Sequence, residues 1–525
     1  MKFKRLIRLA ATTLAALATS IQLAAQEPPT AHHHHYKLIE IGTFGGPLSH
    51  VHTTGDLSDY AGISQDLNDA GRLVGWADTS TPDPFKPNCF VGECYVEHAF
   101  VRQHGTIHDL GTLPNGLSSA ATWVSANDLI AGASQNGEID PQFPVPAGSP
   151  GFPQDRAVLW RDGKIMDLGV LPEPEGGYES GADAVNSRGQ VVGWAINRVP
   201  DPYTMSIDSV IYDVWEPTEY YQTRAFLWEN GVMQDLGTLG TGTDAFAMAI
   251  NERGQVIGIS YTNTTPNQVL TFCTYFSAPI PSEDPFLWEN GEMIDLGSLG
   301  GTCGIPYWIS DSGQVVGASD LPGDQVTDAF LWTKDKGMQD LGTLGGSSAQ
   351  ANMINDSGVV VGGSATPGDS TDHAFLWDGT MHDLGALNGC SWAWAINAGG
   401  QVVGDAGNGC GEIGFLWEPG GPMVDLSTLL SSESAVSVIG ALEINDLGEI
   451  VGKGVNTNGN THAILLIPCD DNHPGIEGCD YSLVDASRAA QSSIATRGTY
   501  TSPASRSGRA LNHRRGVLGL RLPNN

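Results

Sequence analysis

Seven aspartates recur at one place in a repeating pattern: Asp109, Asp167, Asp235, Asp295, Asp340, Asp383 and Asp425, each followed by Leu and then by Gly or, at the last, Ser. Carboxylates do acid/base work and bind calcium. A residue repeated in every cycle more often serves the fold, because a strand Asp accepts backbone hydrogen bonds. A second set breaks the repeat. Asp201, Asp208, Asp213, Glu216 and Glu219 are interleaved with Tyr203, Tyr212, Trp215, Tyr220 and Tyr221, and Glu283 precedes Asp284. Rings cover sugar faces, and carboxylates bind hydroxyls or cleave glycosidic bonds. The ligand-binding candidates are therefore Trp215, Tyr220, Tyr221, Asp213 and Glu216. A loop packed over a core would use the same residue types, and no residue is assigned a catalytic role.

A third set is the tract His32 to His35. Imidazoles ligate transition metals, but this tract has no carboxylate partner and reads as a polar stretch in a linker over residues 26–35. Calcium loops of the D-x-[DN]-x-[DN]-G type, G-x-S-x-G elbows, H-E-x-x-H helices and Gly-Lys-Ser phosphate loops are missing from the sequence. No cofactor or metal is expected.

The elements that would position these residues are plainest from Arg224 to Ser260. Asn230-Gly231 separates two apolar runs, the strongest short hairpin signal, because Asn and Gly tolerate the positive φ of a tight turn. Asn251-Glu-Arg-Gly254 marks a second hairpin, with Asn capping its own turn. No piece is long enough for a helix or shows helical apolar spacing. The unit is a four-stranded meander. Its Asn turn recurs at Asn68, Asn186, Asn251, Asn355, Asn397 and Asn445, with Ser125 and Ser310 in two further cycles.

That gives eight first hairpins against seven Asp-bearing second hairpins. The eighth is split: His462 to Ile467 lacks a partner, and Lys37 to Phe44 supplies it, with Glu40 in place of Asp. A closed ring needs its ends paired to remove exposed strand edges, and an open solenoid does not. The predicted fold is all-β, a β-propeller of eight four-stranded blades over residues 36–469, closed by an N-terminal strand completing the last blade. Seven blades or a β-solenoid are the alternatives. Insertions between second and third strands, at 78–97, 135–155, 197–223 and 261–284, build up one face. Eight cysteines with their positions in loops predict the disulfides Cys89–Cys94, Cys273–Cys303, Cys390–Cys410 and Cys469–Cys479.

Residues 1–25 have a basic start, an apolar stretch and small residues near their end, the pattern of a signal peptide. No later segment has the ~18 consecutive apolar residues of a membrane helix. The expected localisation is secreted or periplasmic, without membrane insertion. Formal charge is −34, from 59 acidic and 25 basic residues. Seven arginines lie after Asp485 and four basic residues in the first ten, so the body carries 14 basic against 59 acidic residues, near −45. Such a surface repels nucleic acid and anionic lipid. Residues 470–525 read as a C-terminal loop followed by a basic, disordered tail.

The recurring string stands most plainly as His373-Ala374-Phe375-Leu376-Trp377, Met381, Asp383-Leu384-Gly385, Ile396-Asn397 and Gly400-Gln-Val-Val-Gly404. It resembles the HAF family of probable extracellular repeats across roughly Tyr36 to Ile467. The resemblance implies a bacterial exported repeat protein and brings no established activity. The functional expectation is a monomeric, non-enzymatic binding or scaffold propeller whose partner is glycan or cell-surface material. The alternative is a carbohydrate-active hydrolase or lyase using the non-repeated carboxylates.

Overall fold

A computed structural model describes residues 32–51, 64–86, 89, 94–103, 105–141, 151, 153–172, 176–201, 221–267, 271, 273, 280–431 and 434–485. The Asn-Gly and Asn-x-x-Gly turns fold the chain into eight four-stranded antiparallel sheets, seven of them meanders with strands in sequence order from the inside out and the eighth completed by an N-terminal strand. Blade 4 is typical: Ala245–Ile250, Val256–Tyr261, Glu283–Glu289 and Glu292–Asp295. Blade 8 takes Ser437–Ile444, Ile450–Val455 and Thr461–Pro468 from the C-terminal part and Tyr36–Glu40 from the N-terminal part. Tyr36–Glu40 pairs with Thr461–Pro468 from Tyr36↔Pro468 to Glu40↔Ile464. The protein is an eight-bladed β-propeller, and the seven-bladed and solenoid alternatives are excluded.

Two repeated letters have a packing reason. The Gly of Val-Val-Gly lies opposite the Phe of the Ala-Phe-Leu-Trp strand, as in the pair Gly258↔Phe286. A Cβ on Gly258 would lie 2.8 Å from the Phe286 ring, so only glycine lets the ring lie flat on the neighbouring strand. The phenylalanines Phe100, Phe226, Phe286, Phe330, Phe375 and Phe415 are all fully buried. Each removes a large apolar surface from water, worth roughly 1.5–3 kcal/mol.

Three features go beyond the sequence pattern. In blades 2 to 8 the innermost strand carries a β-bulge, at Thr122, Asp183, Met248, Tyr307, Asn352, Trp394 and Leu442. A bulge bends and twists the strand locally. In blade 1 the innermost strand Gly45–His50 is separated from its Asn68 turn by residues 52–63, which lie outside the described residues. The histidine tract contains a strand rather than a plain linker. His32–His34 pairs with Leu483–Asp485, His33 is buried, and its Nδ1 lies 2.6 Å from Glu418 Oε2.

Candidate functional site

The repeated aspartates lie on the outermost strands, where each carboxylate closes its own turn. Oδ1 accepts the backbone N–H two residues on: Gly111 for Asp109 and Gly297 for Asp295 (both 2.7 Å), Gly169 for Asp167 and Gly237 for Asp235 (both 2.8 Å). Asp340, Asp383 and Asp425 do the same for Gly342, Gly385 and Ser427. Glycine is needed at the receiving end because Gly111, Gly237 and Gly297 have φ of 70°, 89° and 72°. These carboxylates serve the fold.

The first letter of the repeat has a partner in the same turn. His98 Nδ1 is 2.7 Å from Asp109 Oδ2, His373 Nδ1 is 2.9 Å from Asp383 Oδ1, and His462 Nδ1 is 2.7 Å from Glu40 Oε1. Arg224 replaces His in blade 3 and donates to Asp235 at 2.9 Å. At Asp109 burial works to raise the carboxyl, but the hydrogen bonds from His98 and Gly111 outweigh it and hold the group below its usual range.

The Asn turns build the opposite end of each inner hairpin and join the blades. Asn Nδ2 donates to the carbonyl at the same position one blade on: Asn68 to Ser125 (2.9 Å), Asn186 to Asn251 (3.2 Å) and Asn251 to Ser310 (3.0 Å). Asn355 reaches Asn397, Asn397 reaches Asn445, and Asn445 reaches Asn68, each at 3.1 Å. Ser125 and Ser310 are too short for that reach and only cap their own turns, accepting from Leu129 and Gln314. Across the closure Glu443 accepts from the backbone N–H groups of Asp66 (2.9 Å) and Leu67 (3.0 Å) and from the Ser64 hydroxyl (2.9 Å). Burial nevertheless pushes its carboxyl up to about 7.

Innermost strands of non-adjacent blades meet through tryptophan. Trp123 of blade 2 stacks on Trp308 of blade 5, ring centroids 5.9 Å apart and planes 19° apart.

The other face carries the loops between second and third strands. Three disulfides brace it: Cys89–Cys94, Cys273–Cys303 and Cys390–Cys410. Cys469–Cys479 lies just after the closing strand, so all four predicted pairs form. Of the ligand-binding candidates, Asp213, Trp215, Glu216 and Tyr220 lie outside the described residues, as do Tyr203, Asp208, Tyr212 and Glu219. Tyr221 is partly buried at the loop end of the third strand of blade 3, opposite Pro200. Asp201 is buried nearby. Glu283 and Asp284 are neighbours on one strand, so their side chains leave opposite faces and do not form an acid/base pair. Glu283 is fully buried and burial raises its carboxyl well above the usual range; Asp284 is raised to about 6, by burial and by the negative charge of Asp295.

One aromatic and acidic group had no signal in the repeat. In blade 7, Trp392 and Trp394 have ring centroids 6.1 Å apart, and Asp405 is the cross-strand partner of Trp392. Burial raises the Asp405 carboxyl to about 6, against the nearby Lys453 and a hydrogen bond from the Ala441 N–H at 3.1 Å. Only comparison of blade 7 with its neighbours picks it out: Asp405 occupies the position of Gly363 in blade 6 and Ile259 in blade 4. Among the described residues no group of three or more His, Cys, Asp or Glu side chains is arranged to hold a metal ion.

No family model and no curated protein matches the chain. Among solved structures it is similar to dipeptidyl peptidase 4 of Porphyromonas gingivalis, at 8% identity over 85% of this chain and 61% of that one, TM-score 0.42. It is also similar to an acylaminoacyl peptidase of Pyrococcus horikoshii, at 12% identity over 68% of this chain and 51% of that one, TM-score 0.37. TolB of Acinetobacter baumannii shares 10% identity over 82% of this chain and 96% of that one, TM-score 0.27. The chain spans about half the length of the acylaminoacyl peptidase.

Proposed function

We propose that the protein is an exported, non-enzymatic propeller that binds a glycan or another component of the cell envelope through its loop-bearing face. The observation that carries this reading is the placing of covalent bracing. Three of four disulfides fasten loops on that face, and the fourth, Cys469–Cys479, closes a loop beside the Asn445 turn at the closure. Loops fixed in shape before binding lose less entropy when a ligand arrives. Support comes also from the signal-like start, from cysteines that are all paired as in an oxidising compartment, and from the resemblance to the HAF repeats. The repeated aspartates are committed to their turns, and Asp109, Asp235 and Asp383 also to His or Arg partners. Glu283 and Asp284 leave opposite faces of their strand and are not the two facing carboxyl groups of a glycosidase.

The test is retention of the oxidised mature protein on a panel of polysaccharides and peptidoglycan, with reducing ends counted in parallel. The expected result is saturable retention on at least one polymer, weakened at least tenfold in Cys273→Ser/Cys303→Ser while the far-ultraviolet spectrum stays that of the parent, and no reducing ends released. Retention on none of them overturns the reading. Release of reducing ends replaces it with the hydrolase alternative.

A further inference from the structure

Four blades place a histidine or an arginine opposite the outermost carboxylate: His98 with Asp109, Arg224 with Asp235, His373 with Asp383 and His462 with Glu40. In blade 3 the Arg224 guanidinium also donates to the carbonyl of Thr243 at 2.8 Å. Its charge thus lies between a carboxylate and a carbonyl oxygen.

Blade 5 keeps the acceptors and removes the cation. The residue at the Arg224 position is Asp328, one residue before Phe330's neighbour Ala329, and it comes within hydrogen-bonding reach of Asp340. The residue at the Thr243 position is Ser347, two before the strand Ala349–Ile354 as Thr243 is two before Ala245–Ile250. Its carbonyl accepts from the N–H of Thr327, the residue adjoining Asp328. Asp340 already gives Oδ1 to the N–H of Gly342. Asp328 is only 6% exposed, and its Oδ1 has no hydrogen-bond partner. The group therefore gathers oxygen acceptors around a place where blade 3 holds a guanidinium, and two carboxylates at this range do not both stay ionised without a proton or a cation between them.

We propose that Asp328 and Asp340, with the carbonyl of Ser347, bind a hard divalent cation of the calcium class at the place that Arg224 fills in blade 3. Calcium takes oxygen ligands only, in flexible numbers, and completes its shell with water. Two carboxylates are fewer than a dedicated metal centre supplies. The affinity belongs in the weak range of extracellular modules, with Kd on the order of 10⁻⁴ to 10⁻³ M. Blade 4 carries a similar exchange, Asp284 facing Asp295, with Asp284 less enclosed than Asp328.

The inference is independent of the envelope-binding reading and is tested with calcium chloride alone. Isothermal titration of the full oxidised chain at neutral pH and physiological salt is compared with Asp328→Asn, Asp328→Arg and, as a control on an exposed Asn turn, Asp356→Asn. The expected result is one saturable calcium equivalent fewer in Asp328→Arg than in the parent, at least tenfold weaker binding at that site in Asp328→Asn, and an unchanged isotherm in Asp356→Asn. Asp328→Arg restores the ion pair of blade 3, so it is expected to fold and to melt, without calcium, no lower than the parent. A parent isotherm with no saturable component overturns the proposal and leaves a shared proton between the carboxyl groups. An Asp328→Arg isotherm equal to the parent's overturns it as well.

Discussion

The two faces of the ring are built to different rules. On the Asn-turn face nearly every blade repeats one device, an amide that caps its own hairpin and donates to the next blade, and the device runs through the closure from Asn445 to Asn68. On the loop face the blades differ in loop length and disulfides. The first face makes eight similar pieces into one body. The second is free to vary because its loops are not needed to close the ring, and loops displayed on a rigid scaffold are where recognition residues collect.

The comparison is broken most severely at the closure. Glu443→Ala leaves the buried N–H groups of Asp66 and Leu67 without their acceptor, and is expected to lower stability by about 2–4 kcal/mol, read as a fall in the denaturant midpoint at unchanged m-value. A loss under about 1 kcal/mol would mean that the strand pairing of blade 8 closes the ring without this latch.

A middle effect comes from Asp405, toward the loop end of blade 7. Its carboxyl is raised by burial to about 6, so the folded state holds a proton that the unfolded chain gives up near 4. Stability therefore falls as pH rises from about 4 to about 6, and the deficit persists above that. Asp405→Asn removes it: the variant should equal the parent at pH 4 and exceed it by roughly 1–2 kcal/mol at pH 7, after allowance for partial solvent screening. Parallel curves across that range would count against the assignment.

The smallest effect sharpens the account of the Asn ring. Ser310→Asn in blade 5 supplies the amide that reaches the next blade at six of eight positions, here toward Asn355, and is expected to add about 0.5–1.5 kcal/mol. No gain would show that the serine cycles have adjusted their blade spacing.

The ring was legible because its signals are local and repeat. Asn251 and Gly254 mark a turn wherever they occur, and the orphan strand at His462 could be matched with the one at Lys37 by the Glu40 that stands where other cycles have Asp. The alanines and tryptophans of the innermost strands carry no comparable sign of a bulge, since a bulge changes register without changing residue type. The Trp123–Trp308 stack joins residues of blades 2 and 5, a distance no spacing in the chain encodes. The His32–His34 strand pairs with a segment used once, so it has no repeat to betray it. Of the aromatic and acidic candidates in the insertion at 197–223, only the strand-end Tyr221 and Asp201 fall within the described residues. Asp328 is hidden differently: in the sequence it is one more residue type at the position before Ala329, and only the fold shows that the position faces another carboxylate.

The closure of blade 8 also sets an order of events as the chain is made. His462 and the Pro47 carbonyl it reaches are 415 residues apart, and Tyr36–Glu40 finds its strand partner at a similar separation. At ~5–20 residues per second, roughly 20–80 seconds pass between the synthesis of that strand and the appearance of its partner. During that interval it is an unpaired edge, the kind that recruits other chains. Lys37 and Glu40 place charge on this five-residue strand, and a short, charged edge recruits other chains less readily than a long apolar one.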